Sequence, residues 1–520
     1  MIKPIGILGE SLSWQQILDQ ERVNYQSVTE LTNLNRFGVI ILIRNLTPQE
    51  GLAVQNYLDS GGGILADFIT LKSLLADFRF HQSHKFRYIT PASDELFYNV
   101  GLTDIGQSGF IPVGFKQPAI YTKSYGAGKI IALPFDLDLA LTKVNSRPKF
   151  FFAPTTKLPY ETVACVSKGE IRKLVINCLK SLLFAQSCYY AHLWYYPNSF
   201  RSIFAFRVDT DFSPWRQIEA VFKLAQENKM NFTWFINTKA QEGDLAKFIK
   251  LKEAGEDLQL HCYKHNVFTD YSLNYTNIEK GKNLLKAVGI EPIGFAGPFG
   301  EWNKSLADAL AALGFQFSSE FALNYDDLPF YPIVGSEKST TLQIPIHPIG
   351  VGRLLQAGFD SNQIFIYFKR YIELNYQMRE PIMIYDHPHR ITQMLQVFDT
   401  LFKWVKSKKD IWFTNFVSFM RWWQQRESVN YNATIVNGQL QIETNNVNLD
   451  LMLHLISPGG EETFVPLKSG VYPLDQLSWN KLPEPILFGK EILRTRQGEF
   501  ILPVKEFIIT LNRRIKGQRS

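Results

Sequence analysis

The stretch FAFRVDTDF, residues 204–212, is a short apolar run that ends in two carboxylates. An apolar run without alternation is typical of a strand buried on both faces of a parallel sheet. The same pattern, an apolar run with a polar end, recurs along the middle of the chain. The repeats are NFTWFINT (231–238), DLQLHCYKHN (257–266), PIGFAGPFG (292–300), FQFSSEF (315–321), LQIPIHP (342–348), PIMIYDHP (381–388) and DIWFTNF (410–416).

Several helix-forming segments lie between these apolar runs. They fall at about 215–228, 243–254, 276–288 and 303–313. Alternating strands and helices of this kind predict an α/β barrel, with a distorted (β/α) architecture over residues 195–427. In such barrels the active site forms where the carboxyl ends of the strands converge, so we expect the chemistry at the polar ends of the runs.

Two of these polar ends carry aspartate or histidine side chains, which commonly bind metals. Asp209 and Asp211 flank Thr210, and two carboxylates this close do not both ionise freely without a cation or a hydrogen-bonded partner. His261 and His265 lie four residues apart in LHCYKHN (260–266). One aspartate and two histidines form a three-ligand open site of the type that catalytic zinc uses, and the second carboxylate is then free to act as a base.

Structural alternatives exist for each of these residues. The sequence DTD can cap a helix that begins near 213–214, and the two histidines can be surface residues one helical turn apart. His387 can belong to a proline turn that Asp386 caps, or it can be an acid whose pKa the neighbouring carboxylate raises. His347 is the second candidate for that acid, with packing in a buried strand as its alternative role.

Four motifs occur in a recognisable order: RVDTD (207–211), HCYKH (261–265), AGPFG (296–300) and YDHPH (385–389). In this order, residues 200–425 resemble the polysaccharide deacetylases of carbohydrate esterase family 4, also known by their NodB homology. The resemblance implies a distorted (β/α) barrel and a divalent metal, commonly Zn²⁺, held by one aspartate and two histidines.

The resemblance also implies a role for each matching residue. Asp211, His261 and His265 would bind the metal, Asp209 would be the general base, and His387 would be the general acid that protonates the leaving amine. The residues expected to orient the substrate or these groups are Arg207, Pro298, Phe299, Gly300 and Asp386.

The chain departs from the family pattern at two places. The family commonly has TFDD where this chain has DTD, so either Asp209 or Asp211 can be the metal ligand. Ala296 replaces the arginine that orients the base in the family. Arg207 points to the same side of its strand as Asp209 and is a candidate replacement, as is Arg390. A backbone N–H near residues 297–300 is the expected oxyanion donor.

The first 190 residues predict an open parallel α/β domain. Buried strand signals occur at PIGILG (4–9), FGVIILIRN (37–45), GGGILADF (61–68) and SYGAGKIIALPFDL (124–137). Helices are expected after Thr47 and from a capping box at Ser167 to about Phe184. The segment resembles class I glutamine-amidotransferase-like domains. It has no cysteine before Cys165, so we expect it to lack that chemistry.

The last segment, 428–520, changes to a period of two. NATIVNGQLQIET (432–444) alternates on both sides of Asn437–Gly438, which predicts a β-hairpin. We expect a small β-sandwich here.

Composition narrows the function further. The net charge of +6, from 55 basic and 49 acidic residues, comes without a basic stripe interleaved with aromatics, which argues against a nucleic-acid partner. The chain has no run of 18 apolar residues and no apolar signal-like core at residues 1–14, so we expect a cytoplasmic protein without a transmembrane segment. The four cysteines form no C-x-x-C pair and are expected to be reduced.

The leading functional interpretation is a metal-dependent hydrolase that deacetylates an N-acetylated sugar or glycan. A glycan-binding protein that has lost its catalytic activity is one alternative. The absence of the arginine at position 296 favours this alternative, whereas the presence of both aspartates and of the three histidines argues against it. A metal amidohydrolase of a small molecule is another, because fold does not determine substrate.

Overall fold

A computed structural model describes residues 1–83, 87–155, 158–489 and 492. The chain divides into two compact units. Unit 1 comprises Met1–Lys143, Val166–Ser199 and Trp422–Gly489, and unit 2 comprises Val144–Cys165, Phe200–Arg421 and Lys490–Ser520. Each unit is therefore built from segments that are distant in sequence.

The α-helices of the described residues, in chain order, are α1 (Leu12–Glu21), α2 (Pro48–Asp59), α3 (Phe68–Leu74), α4 (Leu137–Leu141), α5 (Lys168–Phe184), α6 (Trp215–Glu227), α7 (Ile249–Glu253), α8 (Tyr271–Ala287), α9 (Lys304–Ala312), α10 (Val351–Gln356), α11 (Ser361–Met378), α12 (Pro388–Gln393), α13 (Leu395–Lys406) and α14 (Phe416–Ser428). Short 3₁₀ helices occupy Leu34–Arg36, Glu95–Phe97, Pro197–Ser199, Glu242–Phe248, Pro298–Gly300 and Leu474–Gln476.

The strands of the described residues are β1 (Ile5–Leu8), β2 (Tyr25–Ser27), β3 (Val39–Leu42), β4 (Gly63–Asp67), β5 (Phe80–Ser83), β6 (Tyr88–Ile89), β7 (Thr103–Asp104), β8 (Gly109–Pro112), β9 (Tyr121–Tyr125), β10 (Gly128–Leu133), β11 (Ser146–Phe150), β12 (Tyr160–Ala164), β13 (Tyr190–Leu193), β14 (Ser202–Asp209), β15 (Thr233–Asn237), β16 (Asp257–Cys262), β17 (Gly294–Phe295), β18 (Phe317–Ser318), β19 (Ile333–Val334), β20 (Glu337–Lys338), β21 (Leu342–Gln343), β22 (Ile382–Asp386), β23 (Ile411–Phe413), β24 (Tyr431–Val436), β25 (Gln439–Thr444), β26 (Met452–Ile456), β27 (Glu461–Pro466), β28 (Gly470–Pro473) and β29 (Asn480–Lys481).

Unit 2 contains a curled parallel sheet of eight strands, which confirms the predicted α/β barrel class. The order is β21-β18-β17-β16-β15-β14-β22, and β23 pairs with the beginning of β14. The extended chain after β21 connects the two edges of this path. The N–H of Ile344 donates to Ser318 O on one side, and the N–H of His347 donates to Met383 O on the other. The sheet is thus a half-barrel that this segment helps to close.

The apolar runs form strands because both of their faces are covered. All eight residues of β14 are buried, and Phe204 and Phe206 pack against Phe402 with ring centroids 6.2 and 5.1 Å away. Helices are present at all four predicted places, although 243–254 is a 3₁₀ helix (Glu242–Phe248) followed by the short α7. α8 begins five residues earlier than expected, where Asp270 caps it by accepting the N–H of Leu273. Because the strands are parallel, their carboxyl ends lie at one edge of the sheet.

A hairpin of β11 and β12 also belongs to unit 2, although it precedes the first barrel strand by about forty residues. The N–H of Ala164, at its end, donates to Phe321 O. The ring of Phe151 packs edge-on against Tyr325 at 5.6 Å. This segment was predicted to belong to the N-terminal domain of residues 1–190, whereas its contacts place it with the barrel.

Unit 1 contains the predicted open α/β sheet, in the order β2-β1-β3-β4-β10-β9, with β9 antiparallel at one edge. Thr47 caps α2 in a capping box with Glu50, as its sequence suggests. α5 has the predicted bounds, but Ser167 makes no capping hydrogen bond, and its Oγ instead accepts the N–H of Asp104 at 3.4 Å. Glu170 accepts the N–H of Gly101. The glutamine-amidotransferase-like interpretation of this domain stays a prediction.

The C-terminal segment forms two antiparallel sheets within unit 1. β24 and β25 pair around Asn437–Gly438, which confirms the predicted hairpin, and β28 completes a three-stranded sheet. The second sheet has the order β13-β26-β27-β29. Because β13 comes from residues before the barrel, this segment shares a sheet with them, and 422–489 groups with unit 1. The separate β-sandwich domain stays a prediction, and residues beyond 492 lie outside the described part.

No helix within the described ranges is both long and apolar enough to cross a membrane.

Candidate metal and active site

Three side chains converge at the carboxyl edge of the barrel sheet. Asp211 Oδ1 lies 3.0 Å from His265 Nε2 and 3.2 Å from His261 Nε2, and the two histidine nitrogens are 3.1 Å apart. A tetrahedral zinc site with metal–ligand distances near 2.1 Å has ligand–ligand distances of about 3.4 Å. The spacing of these three atoms therefore fits a small divalent cation.

The hydrogen bonds of His261 support the same conclusion. Its Nδ1 lies 2.6 Å from Ala296 O, and a carbonyl oxygen only accepts, so Nδ1 carries the proton. Nε2 lies 3.2 Å from Asp211 Oδ1, so its lone pair and the carboxylate oxygen can both bind one cation. The donor set thus fits a metal, and the carbonyl of Ala296 holds the imidazole ring in place, as a backbone carbonyl commonly does for a metal-binding histidine.

The backbone places the three ligands by different means. His261 lies in β16, whose six residues are all buried, and His265 follows in the loop rather than on a helix. Asp211 comes after the end of β14 with a φ of 40°, a left-handed conformation that aspartate tolerates better than most residues. The H-x-x-x-H spacing is therefore a strand end and a loop, not one helical turn.

Asp209 is held by arginine instead of by histidine. Arg207 Nε donates to Asp209 Oδ1 at 2.6 Å, and Nη2 donates to Oδ2 at 2.7 Å. A third donation from Nη1 reaches Ser319 O at 2.7 Å. Burial raises the pKa of Asp209, but the Arg207 guanidinium outweighs it and holds the pKa below its usual value. Arg207 thus holds both oxygens of the carboxylate in one orientation.

His387 lies next to the second carboxylate oxygen of Asp211, the one that the two histidines of the cluster do not contact. Its Nε2 is 3.3 Å from Asp211 Oδ2, and its Nδ1 is 3.5 Å from Asp386 Oδ1. Burial lowers the pKa of His387, but the charge of Asp211 and the hydrogen bond with Asp386 outweigh it and raise the pKa to about 9. Asp386 is itself fixed, since it accepts the N–H groups of Val351 at 2.6 Å and His387 at 2.8 Å.

One cavity of about 610 Å³ is lined by Asp209, Asp211, His261, His265, Asp386 and His387. Phe299 and Gly300 also line it, both with left-handed φ values of 59° and 64°. A Cβ on Gly300 would meet the ring of Phe321 at 2.3 Å, so glycine is required there. The ring of Phe299 packs edge-on against His265 at 4.7 Å. Pro298 is buried and begins the 3₁₀ turn that carries them.

Two residues on the cavity wall have no counterpart in the sequence analysis. Glu161 of β12 and Arg353 of α10 form a bidentate ion pair, in which Arg353 Nε donates to Glu161 Oε2 at 2.6 Å. The second bond joins Nη2 to Oε1. No local pattern in YETVA (160–164) indicates which barrel residue Glu161 would meet.

Other predicted residues have different positions. His347 is buried, stacks on Tyr371 at 3.9 Å and lies 3.1 Å from Tyr367 Oη, and burial lowers its pKa to about 3. Packing, its alternative role, is what these contacts describe. Arg390 lines the cavity and donates to Gln393 Oε1 at 3.1 Å. The alternative in which DTD caps a helix does not hold, because Pro214 occupies the cap of α6 without a side-chain bond.

The backbone N–H groups of the AGPFG motif are partly engaged. Gly297 N donates to Glu320 Oε1 at 2.9 Å, and Gly300 N donates to Gly297 O at 2.9 Å. Glu320 is fully buried, and burial raises its pKa to about 7. These two N–H groups are therefore part of the local fold, which argues against either of them as the oxyanion donor.

One family match covers the part of the chain that carries Asp211, His261 and His265. The polysaccharide deacetylase family matches residues 211–318. No curated protein matches the chain. Among solved structures, a protein of Mycobacterium smegmatis assigned as a polysaccharide deacetylase is 15% identical, with 45% of this chain and 94% of that chain covered and a TM-score of 0.40.

Two further solved structures are similar to this chain. One from Pseudomonas aeruginosa PAO1, also assigned as a polysaccharide deacetylase, is 17% identical, with 44% of this chain and 92% of that chain covered and a TM-score of 0.38. The other, the allantoinase PuuE, is 17% identical with the same coverages and a TM-score of 0.39. The chain is thus similar to the polysaccharide deacetylase family over residues 211–318.

Proposed function

We propose that this protein is a metal-dependent hydrolase that removes the acetyl group from an N-acetylated sugar or glycan. One observation carries the proposal: the cluster of Asp211, His261 and His265 shares one cavity with an arginine-held carboxylate and a carboxylate-backed histidine. A base and an acid in the same cavity as a three-ligand cluster suit the hydrolysis of an amide.

The proposed metal is Zn²⁺, bound by Asp211, His261 and His265. When bound, it would supply Lewis acidity toward the acetyl carbonyl and toward water. The nitrogen ligands and the tetrahedral spacing of the three atoms favour zinc over magnesium or calcium, which prefer oxygen ligands.

Asp209 is the proposed base that accepts a proton from the attacking water. The two hydrogen bonds from Arg207 hold its oxygens in one orientation and keep the carboxylate ionised at neutral pH. Preorganisation of this kind avoids the cost of orienting the base during the reaction. Arg207 is thus a positioning residue, and its place two residues before Asp209 on β14 makes the contact possible.

His387 is the proposed acid that gives a proton to the departing nitrogen. Amines are poor leaving groups until they are protonated, so this step matters for an amide. Asp386 lies 3.5 Å from Nδ1 and orients the ring, which leaves Nε2 directed toward the cluster.

Two features of the cavity favour a sugar as the substrate. Its volume of about 610 Å³ is in the range of small-ligand sites. Phe212, directly after Asp211, is 57% exposed, and its ring centroid lies 5.3 Å from that of His265. An exposed aromatic ring at the site can stack on the apolar face of a sugar ring.

Metal analysis combined with acetate release from N-acetylglucosamine oligomers tests the proposal. The purified protein should hold about one zinc per chain, and His261→Ala or His265→Ala should remove most of it, since two protein ligands remain. The exposed His81 in unit 1 provides a matched control, and His81→Ala should keep the metal. Full metal retention in both site variants would contradict the assignment, and metal and sugar binding without acetate release would favour the glycan-binding alternative.

A further inference from the structure

The Glu161–Arg353 pair lies in the wall of the same cavity as the proposed catalytic groups. Its side chains are 9% and 7% exposed. Burying an ion pair costs solvation energy, and well-packed apolar residues are often as stable in its place. Stability is therefore a weak explanation for a buried pair whose members also line a ligand-sized cavity.

Both members are held rigidly relative to the catalytic edge. Glu161 lies on β12, which is anchored where Ala164 donates to Phe321 O. Arg353 lies on α10, whose first N–H, that of Val351, donates to Asp386 Oδ2 at 2.6 Å. Asp386 also contacts His387, so the positions of the guanidinium and of the proposed acid are linked through one carboxylate.

Further hydrogen bonds fix the orientation of the pair. Glu161 Oε1 accepts the N–H of Thr162 at 2.8 Å, and Arg353 Nη1 donates to Gln356 Oε1 at 3.2 Å. Gln356 lines the cavity as well. The wall thus presents a carboxylate, a guanidinium and an amide side by side, which are acceptors and donors in fixed positions.

This arrangement matches the chemistry of sugar hydroxyl groups. A hydroxyl both donates and accepts, so neighbouring hydroxyls can donate to the carboxylate and accept from the guanidinium or the amide. The pair carries no net charge, which gives it no strong attraction for an anionic group. Hydrogen bonds to charged groups stabilise more than those between neutral groups.

We propose that Glu161 and Arg353 form a specificity element that binds adjacent hydroxyl groups of a neutral sugar unit in the cavity. The inference rests on the proposed function for the identity of the substrate, but it concerns binding and not the chemical step. It assigns the β11–β12 hairpin to the substrate site.

Calorimetric binding of the β-1,4-linked trimer of N-acetylglucosamine tests this. Glu161→Gln keeps the shape of the side chain and removes its charge, and we expect the Kd for the trimer to rise about tenfold or more. The double variant Glu161→Leu/Arg353→Met replaces the pair with apolar groups, which avoids an unpaired buried charge, and should show the same rise. Glu256→Gln is the matched control, because Glu256 is a buried barrel carboxylate that accepts from Trp234 Nε1 away from the cavity wall.

Turnover supplies a second readout. The selectivity, which is kcat/KM for the trimer divided by kcat/KM for an aryl acetate, should fall about tenfold or more in both Glu161 variants. The fall should come mainly from a higher KM for the trimer. In the control Glu256→Gln, the selectivity should change by less than about twofold. Wild-type affinity for the trimer in both Glu161 variants, or no binding by the wild-type protein, would overturn the inference. Trimer binding that depends on the pair without acetate release would support the inference and count against the proposed function instead.

Discussion

Replacing Arg207 with methionine should destabilise the barrel unit, because it leaves Asp209 buried without a partner. Both residues are at most 3% exposed, and the pair has two parallel hydrogen bonds of 2.6 and 2.7 Å. Removing one partner of a buried pair of this kind costs about 3–5 kcal/mol. Arg207→Lys keeps the charge but loses the forked geometry, so we expect an intermediate loss.

A double-mutant cycle isolates the pair from other contacts. Arg207→Met/Asp209→Leu removes both charges, so it should cost no more than Arg207→Met alone, and the coupling energy should be about 3–5 kcal/mol. The exposed pair Lys304–Asp308 is a control and should couple by less than about 0.5 kcal/mol. Hydrogen exchange of peptides from β14 to β16 in metal-free protein reports on the barrel unit alone, since a chain with two compact units need not unfold in one step.

The pH dependence adds an independent test. In the wild-type protein the pKa of Asp209 is below its unfolded value, so the carboxylate contributes stability above that value and loses it as the pH falls. In Arg207→Met, the largest influence that opposes burial is removed and the pKa of Asp209 rises, so ionisation becomes less favourable to the folded state as the pH rises. The difference in the free energy of unfolding between the wild-type protein and Arg207→Met should therefore shrink as the pH falls from 7 to 4. Additive single effects, or a deficit that does not change with pH, would refute this account of Asp209.

Three other outcomes are expected. Asp209→Asn should abolish acetate release while metal content is unchanged, whereas Asp211→Asn should lose the metal, and the reverse result would exchange the roles of the two residues. His387→Ala should reduce amide deacetylation by roughly 10²–10⁴-fold and spare much of the aryl-acetate activity, and equal losses on both substrates would assign His387 to attack instead. Burial raises the pKa of Glu256 to about 7, so the wild-type protein should lose stability as the pH rises from 4.5 through 7. In thermal unfolding at pH 8, the free energy of unfolding of Glu256→Gln should exceed that of the wild-type protein by about 3 kcal/mol, and at pH 4 the two should be equal. No gain in stability at pH 8 would contradict the raised pKa of Glu256.

The sequence was informative about the strand ends for a physical reason. Parallel strands bring their carboxyl ends to one edge, so Asp211, His261 and His387 were expected near one another once the strands were recognised. The alternation of side chains along a strand likewise indicated that Arg207 could reach Asp209. Both inferences depend on local geometry, which a short segment determines.

The opposite wall of the cavity was not predictable in this way. Glu161 and Arg353 are 192 residues apart and meet only because a hairpin outside the strand and helix repeats joins the barrel. The composition of unit 1, which combines residues 422–489 with segments before the barrel, was not predictable for a similar reason. β13 pairs with β26 across the whole barrel sequence, and no local pattern in 190–193 indicates an antiparallel partner near residue 454.

The pairing of β13 with β26 has a consequence for the order of events during synthesis. Arg426, fully buried, donates to the carbonyls of Trp194, Leu193 and Glu21, so the first unit lacks these bonds until residues 422–489 have left the ribosome. The barrel strands emerge in between and can pair with one another first. Completion of the N-terminal unit therefore comes last, and a nascent chain halted near residue 420 should expose the unpaired edge of β13 to chaperones or to other strands.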